Sequence, residues 1–309
     1  NISTFIGGSV EYYIKPDSSG GCYFVQSVRP NLLLGGTTGI VLNDAPRFAG
    51  PSNIWSPAKG FLVQSTSPSS YDRNFPTTGA DGLYFDLLIG GIDASQLSWT
   101  VNTGGSIRAE VSWTRPRSGS FRAPDGDTFQ ADRWIRDKSS YVTRVTLHGP
   151  RASSSQINSS NPSPLTVPSL PQTFELVGRD RGGNEVRYGF VLRQWFVLRD
   201  NAVSLSDQIF WCSRLGYRLA RVRDLTNSNY RNLGAVPSSG FNGYKRHIGA
   251  GFFSEWGLMA YYTDAGFVHH YGHWTSDAAG SNGFLVYSNF GDFYSYSASI
   301  RYAAVCTAP

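Results

Sequence analysis

The sequence predicts a mainly β chain in which a β-sandwich is followed by a smaller α+β unit. Three observations carry that expectation. Charged residues make up only 16% of the chain, against 40% hydrophobic and 14% aromatic, and there are 34 glycines. A helical protein built on Lys and Glu has the opposite balance. Short β-branched or aromatic runs recur through the first half, each bounded by Gly, Pro, Ser or Asn. One stretch alone, near Ser204, carries a helical hydrophobic period with both a start and a stop signal.

At 309 residues the chain has room for two cores. In residues 1–150 the strand-like runs are VEYYIKP (10–16), CYFVQSV (22–28), GLYFDLLIGGI (82–92), SIRAEVSWT (106–114) and YVTRVTLHG (141–149). A sandwich is the natural packing of such a string, and long connections such as APRFAGPSNIWSPAKG (45–60) elaborate it. Asp125-Gly126-Asp127 reads as a turn rather than a metal loop. GGTTG (35–39) lacks the Lys-Ser/Thr of a phosphate loop. Residues 151–172 hold Pro162, Pro164, Pro168 and Pro171, which oppose helix and central strand and predict an extended connector.

The second unit, 173–309, opens with TFELVG and VRYGFVLRQWFVL around Gly182-Gly183, a hairpin signal. In SLSDQIFWCSRLGYR (204–218) Ser204 and Asp207 have capping-box spacing. Leu205, Ile209, Cys212 and Leu215 fall on one face, and Gly216 can end the helix. A second short helix is expected from Arg221, with Val222 and Leu225 inward. GFLVYSNF and FYSYSAS flank Gly291-Asp292, a further hairpin, and IRYAAVC supplies a last strand carrying Cys306. A disulfide from Cys212 to Cys306 would tie the helix to that strand and constrain a long loop. Cys22 is left over, as a small buried hydrophobe in preference to an intermolecular bridge. Trp211, Trp256 and Trp274 read as core, and Arg246 with Glu255 as a structural ion pair.

The net charge is +5, but the basic residues are scattered, and RLARVRD and DRWIRDK carry acids inside them. That excludes a concentrated nucleic-acid-binding face. No apolar run approaches the roughly 18 residues of a membrane-spanning helix. The chain opens on Asn1 without a visible leader, so the expectation is a processed portion of something longer.

WCSRLGYRLARVRDLTN, RHIGAGFFSEWGLM, HWTSDAAGS and the closing YAAVC carry a family resemblance over 173–309. Together with the helix cysteine, hairpin and terminal-strand cysteine, they resemble the C-type lectin-like tip of intimin/invasin-type outer-membrane adhesins of Gram-negative bacteria. Residues 1–150 match only in β-rich texture and position. The resemblance implies an immunoglobulin-like β-sandwich followed by an α+β C-type lectin-like domain. It also implies display outside the cell, at the end of a rod attached to the outer membrane through parts beyond this chain. The implied activity is adhesion to a host-cell surface protein or glycan. Calcium-independent protein recognition is favoured, because the tail lacks the Glu/Gln-Pro-Asn/Asp loop and Trp-Asn-Asp strand of sugar-binding lectins. The alternatives are a calcium-dependent lectin, for which Asp264, Asp277 and Asp292 would supply oxygens, and a self-association or spacer module.

The expected receptor contacts are His269, His270, Tyr271, His273, Asp277, Asn289, Asp292, Tyr294 and Tyr296, within loops 226–248 and 264–297. His269, His270 and His273 invite a zinc site, but their spacing lacks the His-x3-His of a helix, so a solvated aromatic loop is the reading taken. SNFGDFYSYS (288–297) alternates, so Phe293, Tyr294 and Tyr296 cannot all be buried. No catalytic motif, cofactor or metal is expected: His-Glu-x-x-His and Gly-x-Ser-x-Gly are both missing from the sequence.

Overall fold

The computed structural model describes residues 13–14, 21–37, 46–267 and 272–309. Its first two sheets form the expected sandwich. One runs, from edge to edge, through Tyr13–Ile14, Cys22–Phe24, Glu185–Leu192, Gln172–Arg179 and Ser98–Thr103. The other runs through Trp55–Ser56, Gly60–Leu62, Ser27–Arg29, Tyr84–Leu88, Val142–His148 and Arg108–Thr114. Their inner faces meet through aromatic side chains. Phe85 of the second sheet meets Phe190 of the first edge-to-face at 5.8 Å, and Phe190 stacks on Phe174 at 4.8 Å. Such pairs add to the area they bury.

The third sheet begins at the edge strand Phe293–Ser297 and continues through Asn282–Tyr287, Gly272–Ala279, Tyr302–Ala308 and Gln194–Val203 to Thr78–Ala80. The short strand Arg218–Leu219 pairs beside it with Tyr302–Ala308. The helix Leu205–Leu215 starts where the Ser204 hydroxyl accepts from the Asp207 N–H, and it stops at Gly216 with φ 91°. That left-handed conformation suits glycine. Cys212 and Cys306 are bonded, their Cα atoms 5.5 Å apart across 94 positions, so the helix is strapped to the last strand as expected. Val222–Leu225 is the second helix, with Val222 and Leu225 fully buried. The connector also holds a short helix, Ser154–Ile157, closed by a capping box between Ser153 and Gln156.

Three expectations need correction. The hairpin built on Gly182-Gly183 is present, but it belongs to the sandwich: Phe174 to Arg179 pair with Thr103 to Ser98. The chain leaves that sheet at Leu192 and joins the third at Gln194, whereas the sequence reading placed the change at residue 173. Alternation fixes which face of a strand is apolar but not which strand it pairs with. The helix face is also rotated. Ile209 lies 44% exposed, while Gln208 is fully buried because its amide donates to the carbonyls of Asn201 and Tyr302.

Arg246 and Glu255, finally, do not form an ion pair through their charged ends. The Glu255 carboxylate accepts from the N–H and hydroxyl groups of Thr77 and Thr78, at 2.5–3.2 Å, and from the Gly249 N–H at 2.8 Å. The Arg246 guanidinium donates to the carbonyls of Asn31, Leu33, Ser254 and Glu255 and lies 4.4 Å from the Trp55 ring centre. Both side chains are fully buried. Burial pushes the Glu255 carboxyl pKa up, against its five donor groups, and pulls that of Arg246 down. Thr77, Thr78, Asn31 and Leu33 come from the first half of the chain. Glu255 thereby ties the helix Phe252–Trp256 to the edge strand Thr78–Ala80 of the third sheet, and Arg246 ties the same helix to the segment that follows the sandwich strand Ser27–Arg29, each charge held by dipoles rather than by the other.

Candidate interaction surface

The outer edge of the third sheet exposes a cluster of tyrosines. In the strand Phe293–Ser297, Phe293 is buried and Tyr294 is 42% exposed. Tyr296 is half-buried on the same face as Tyr294. Tyr287 lies 6.1 Å from Tyr294 and Tyr302 lies 6.3 Å from Tyr296, measured between ring centres. The hydroxyls of Tyr287 and Tyr296 meet at 3.5 Å. Burial first, and then the Tyr296 hydroxyl, hold the Tyr287 phenol above its ordinary pKa. Tyr230, from the turn Tyr230–Asn232, closes the rim. Its ring is 5.1 Å from Phe293 and 6.4 Å from Tyr294. Arg231 holds φ 51° and places its guanidinium 5.4 Å from the ring centres of both Tyr230 and Phe284, a cation–π arrangement.

The loop behind this edge is internally braced. Asn227, 1% exposed, donates to the carbonyls of Pro237 and Lys245 and accepts from the Lys245 N–H. Asn242 accepts from the Phe293 N–H and donates to the Phe293 carbonyl, each at 3.1 Å. Its amide thus stands in for a neighbouring strand and covers the start of the edge. Polar side chains fixed in this way hold a surface in one conformation before any partner arrives.

The expected contacts are distributed unevenly. His269, His270 and Tyr271 lie outside the described residues. His273 is a correction: it is fully buried, between Phe253 at 5.7 Å and Phe267 at 5.9 Å. Its strand starts at Gly272, and its register pairs His273 with Val286 on one side and Ala303 on the other, inside the sheet. Nδ1 is 3.3 Å from the Val286 carbonyl, and burial lowers the imidazole pKa to about 4. A neutral core histidine cannot meet a receptor.

Asp277 is occupied inside the protein, since it accepts from the Val222 N–H at 2.9 Å and from Arg221 Nη2 at 3.4 Å, bracing the start of the second helix. Asn289 shapes its own turn by accepting from the Phe290 N–H, and its carbonyl takes the Tyr244 hydroxyl. Asp292 is half-buried. Burial raises its carboxyl pKa, a hydrogen bond from Tyr294 opposes that rise, and Oδ1 has no partner among the described residues. Tyr294 and Tyr296 remain as surface groups. Sequence reasoning missed Tyr230, Arg231, Tyr287 and Tyr302, which the fold gathers from three separate segments. The clue available was the polar, asparagine-rich run NSNYRN, which can supply consecutive left-handed residues.

Among the described residues no cluster of His, Cys, Asp and Glu could hold a metal ion. Two of the three acids considered for calcium are engaged elsewhere: Asp264 with Arg117 at 2.6 Å, and Asp277 with Arg221. Among the described residues, no helix is long and apolar enough to cross a membrane.

No protein-family model and no curated protein matches this chain. Solved structures do. A crystal structure of invasin, described as a bacterial integrin-binding protein, has 13% sequence identity and a TM-score of 0.43, over 79% of this chain and 37% of that one. A C-terminal 282-residue fragment of intimin, in complex with the intimin-binding domain of the translocated intimin receptor, has 12% identity and a TM-score of 0.41, over 82% and 62%. An intimin mutant of EHEC O157:H7 has 11% identity and a TM-score of 0.37, over 82% and 93%. The chain therefore spans 37% and 62% of the first two chains it matches.

Proposed function

We propose that this chain is the receptor-facing part of a bacterial surface adhesin, and that it binds a host-cell surface protein without calcium. The observation that carries this reading is the tyrosine face of Tyr230, Tyr287, Tyr294, Tyr296 and Tyr302, part-exposed on a disulfide-strapped sheet. Tyrosine offers a large ring and a polar tip at low entropic cost, which suits a protein interface. Arg231 adds a charge already seated on the Tyr230 ring. A stable complex needs roughly 800 Å² from each partner, so the face would act together with loop 226–248. Integrin and the translocated intimin receptor are partners named for invasin and intimin; a protein partner here is the reading that the exposed rings support.

The test is binding of the full chain to intact host cells and to their extracted surface proteins, with and without EDTA. Retention in chelator is expected, with Tyr294→Ala and Tyr296→Ala each weakening capture about tenfold. Loss of binding in EDTA would instead identify a calcium-dependent lectin. Unchanged binding by both tyrosine variants would remove this face from the interface.

A further inference from the structure

The sandwich carries a cleft that neither the tyrosine face nor the buried clamp uses. It has a volume of about 490 Å³ and lies against the strands Tyr84–Leu88 and Val142–His148, walled on one side by residues 134–141. Sites for small organic ligands run from roughly 300 to 1,000 Å³. At its rim Trp113 and Tyr141 are 42% and 47% exposed, their rings 5.5 Å apart and 21° from parallel. The Arg115 guanidinium lies 5.3 Å from the centre of the Tyr141 ring. Two stacked rings held in solvent make an apolar platform of the kind that marks a binding surface.

The polar lining narrows the ligand class. Trp134 is 2% exposed, and its Nε1 has no acceptor among the described residues; the Nε of half-buried Arg29 has none either. An unmatched buried N–H is destabilising, and both residues line this cleft. Both nitrogens lie beneath the cleft surface, so an acceptor bound there would match them once the Arg29 and Trp134 side chains shift to present their N–H groups. The lining carries charges of both signs, Arg29 and Arg136 with Asp86 and Asp137. Asp86 is held by Arg144 at 2.8 and 3.0 Å, and Asp137 accepts from Ser139 and Ser140. The cleft therefore offers donors and a flat apolar surface, while its two acids are already engaged inside the protein.

The geometry points to a glycan-binding site in which a neutral hexopyranose of a surface glycan stacks on Trp113 while its oxygens accept from Arg29 and Trp134. Sugar C–H groups pack against the negative face of an indole, and hydroxyls are the groups that both give and take hydrogen bonds. This site is independent of the tyrosine face and of calcium. Its test is the full chain, in EDTA, on an array of immobilised glycans ending in glucose, galactose or mannose, beside their sialylated counterparts. Wild type is expected to hold at least one neutral series. Trp113→Ala should weaken it about tenfold or more and Trp113→Phe much less, both with wild-type thermal unfolding because the side chain is exposed. The site is disproved if no neutral glycan is held above a blank surface, if Trp113→Ala binds as wild type does, or if only sialylated glycans bind.

Discussion

The third sheet has two edges that are treated in opposite ways. At one, Thr78–Ala80 from the first half of the chain lies parallel to Gln194–Val203, and the Glu255 carboxylate takes the donors of Thr77 and Thr78. At the other, Phe293–Ser297 carries Tyr294 into solvent, with Asn242 covering only its first residue. The closed edge satisfies its polar groups by burying charge among dipoles, which leaves little tolerance for change. The open edge gives up burial of aromatic area, and what it gains is a surface free to meet another molecule. With the tyrosine edge as the proposed contact surface, stability and contact fall on opposite margins of one sheet, and substitutions at each should separate cleanly.

The largest expected effect tests the frame that both edges share. Replacing Cys212 and Cys306 together with alanine frees a loop of 94 positions, for which the chain-entropy model gives a loss of about 4–5 kcal/mol. Urea unfolding of the full chain measures it; a loss under about 1 kcal/mol would show that the strap contributes little. Next comes the closed edge. Glu255→Gln keeps the shape but turns an amide N–H toward donors, and a loss of about 2–3 kcal/mol is expected in the same assay.

A pH effect follows from His273. Its folded pKa is about 4 against 6.5 as the ordinary value, so the unfolded chain binds the proton more tightly. The stability this group contributes is complete above pH 6.5, falls as pH drops through that value, and bottoms out near pH 4. By pH 5 the loss should reach about 2 kcal/mol. His273→Asn should flatten the slope between pH 7 and 5, and an unchanged slope would mean that another group sets it. The smallest stability effect belongs to the open edge. Tyr294→Ala should shift unfolding by less than about 0.5 kcal/mol while reducing capture by host cells about tenfold. A large loss of stability there would mean that the ring serves the core.

Much of the local structure was legible because its signals are local. Ser204 and Gly216 mark the ends of the main helix, and Gly291 marks the hairpin turn. Trp211, Trp256 and Trp274 are fully buried, as their settings suggested. What could not be read depends on partners distant in sequence. Strand Gln172–Arg179 pairs with Ser98–Thr103, some 70 positions away, and nothing in its alternation names that neighbour. Gln208 displaces Ile209 from the core because Asn201 and Tyr302 supply acceptors that no helical pattern reveals. His273 looked like part of a polar loop, yet register placed it between two phenylalanines. For the candidate surface, alternation in FYSYS identified Tyr294 and Tyr296, whereas Tyr230 and Tyr287 reach them only through the folded topology.

The parallel strand Thr78–Ala80 has a practical corollary for anyone cloning this protein. A product started near residue 173 would lack the backbone that Gln194 to Phe196 pair with, together with the hydroxyls that surround Glu255. It would present a raw β margin and a naked interior carboxylate to the solvent, an invitation to aggregate. The unit built on the third sheet is therefore not a detachable cassette, and any transfer of it to another protein must carry the preceding sandwich along with it.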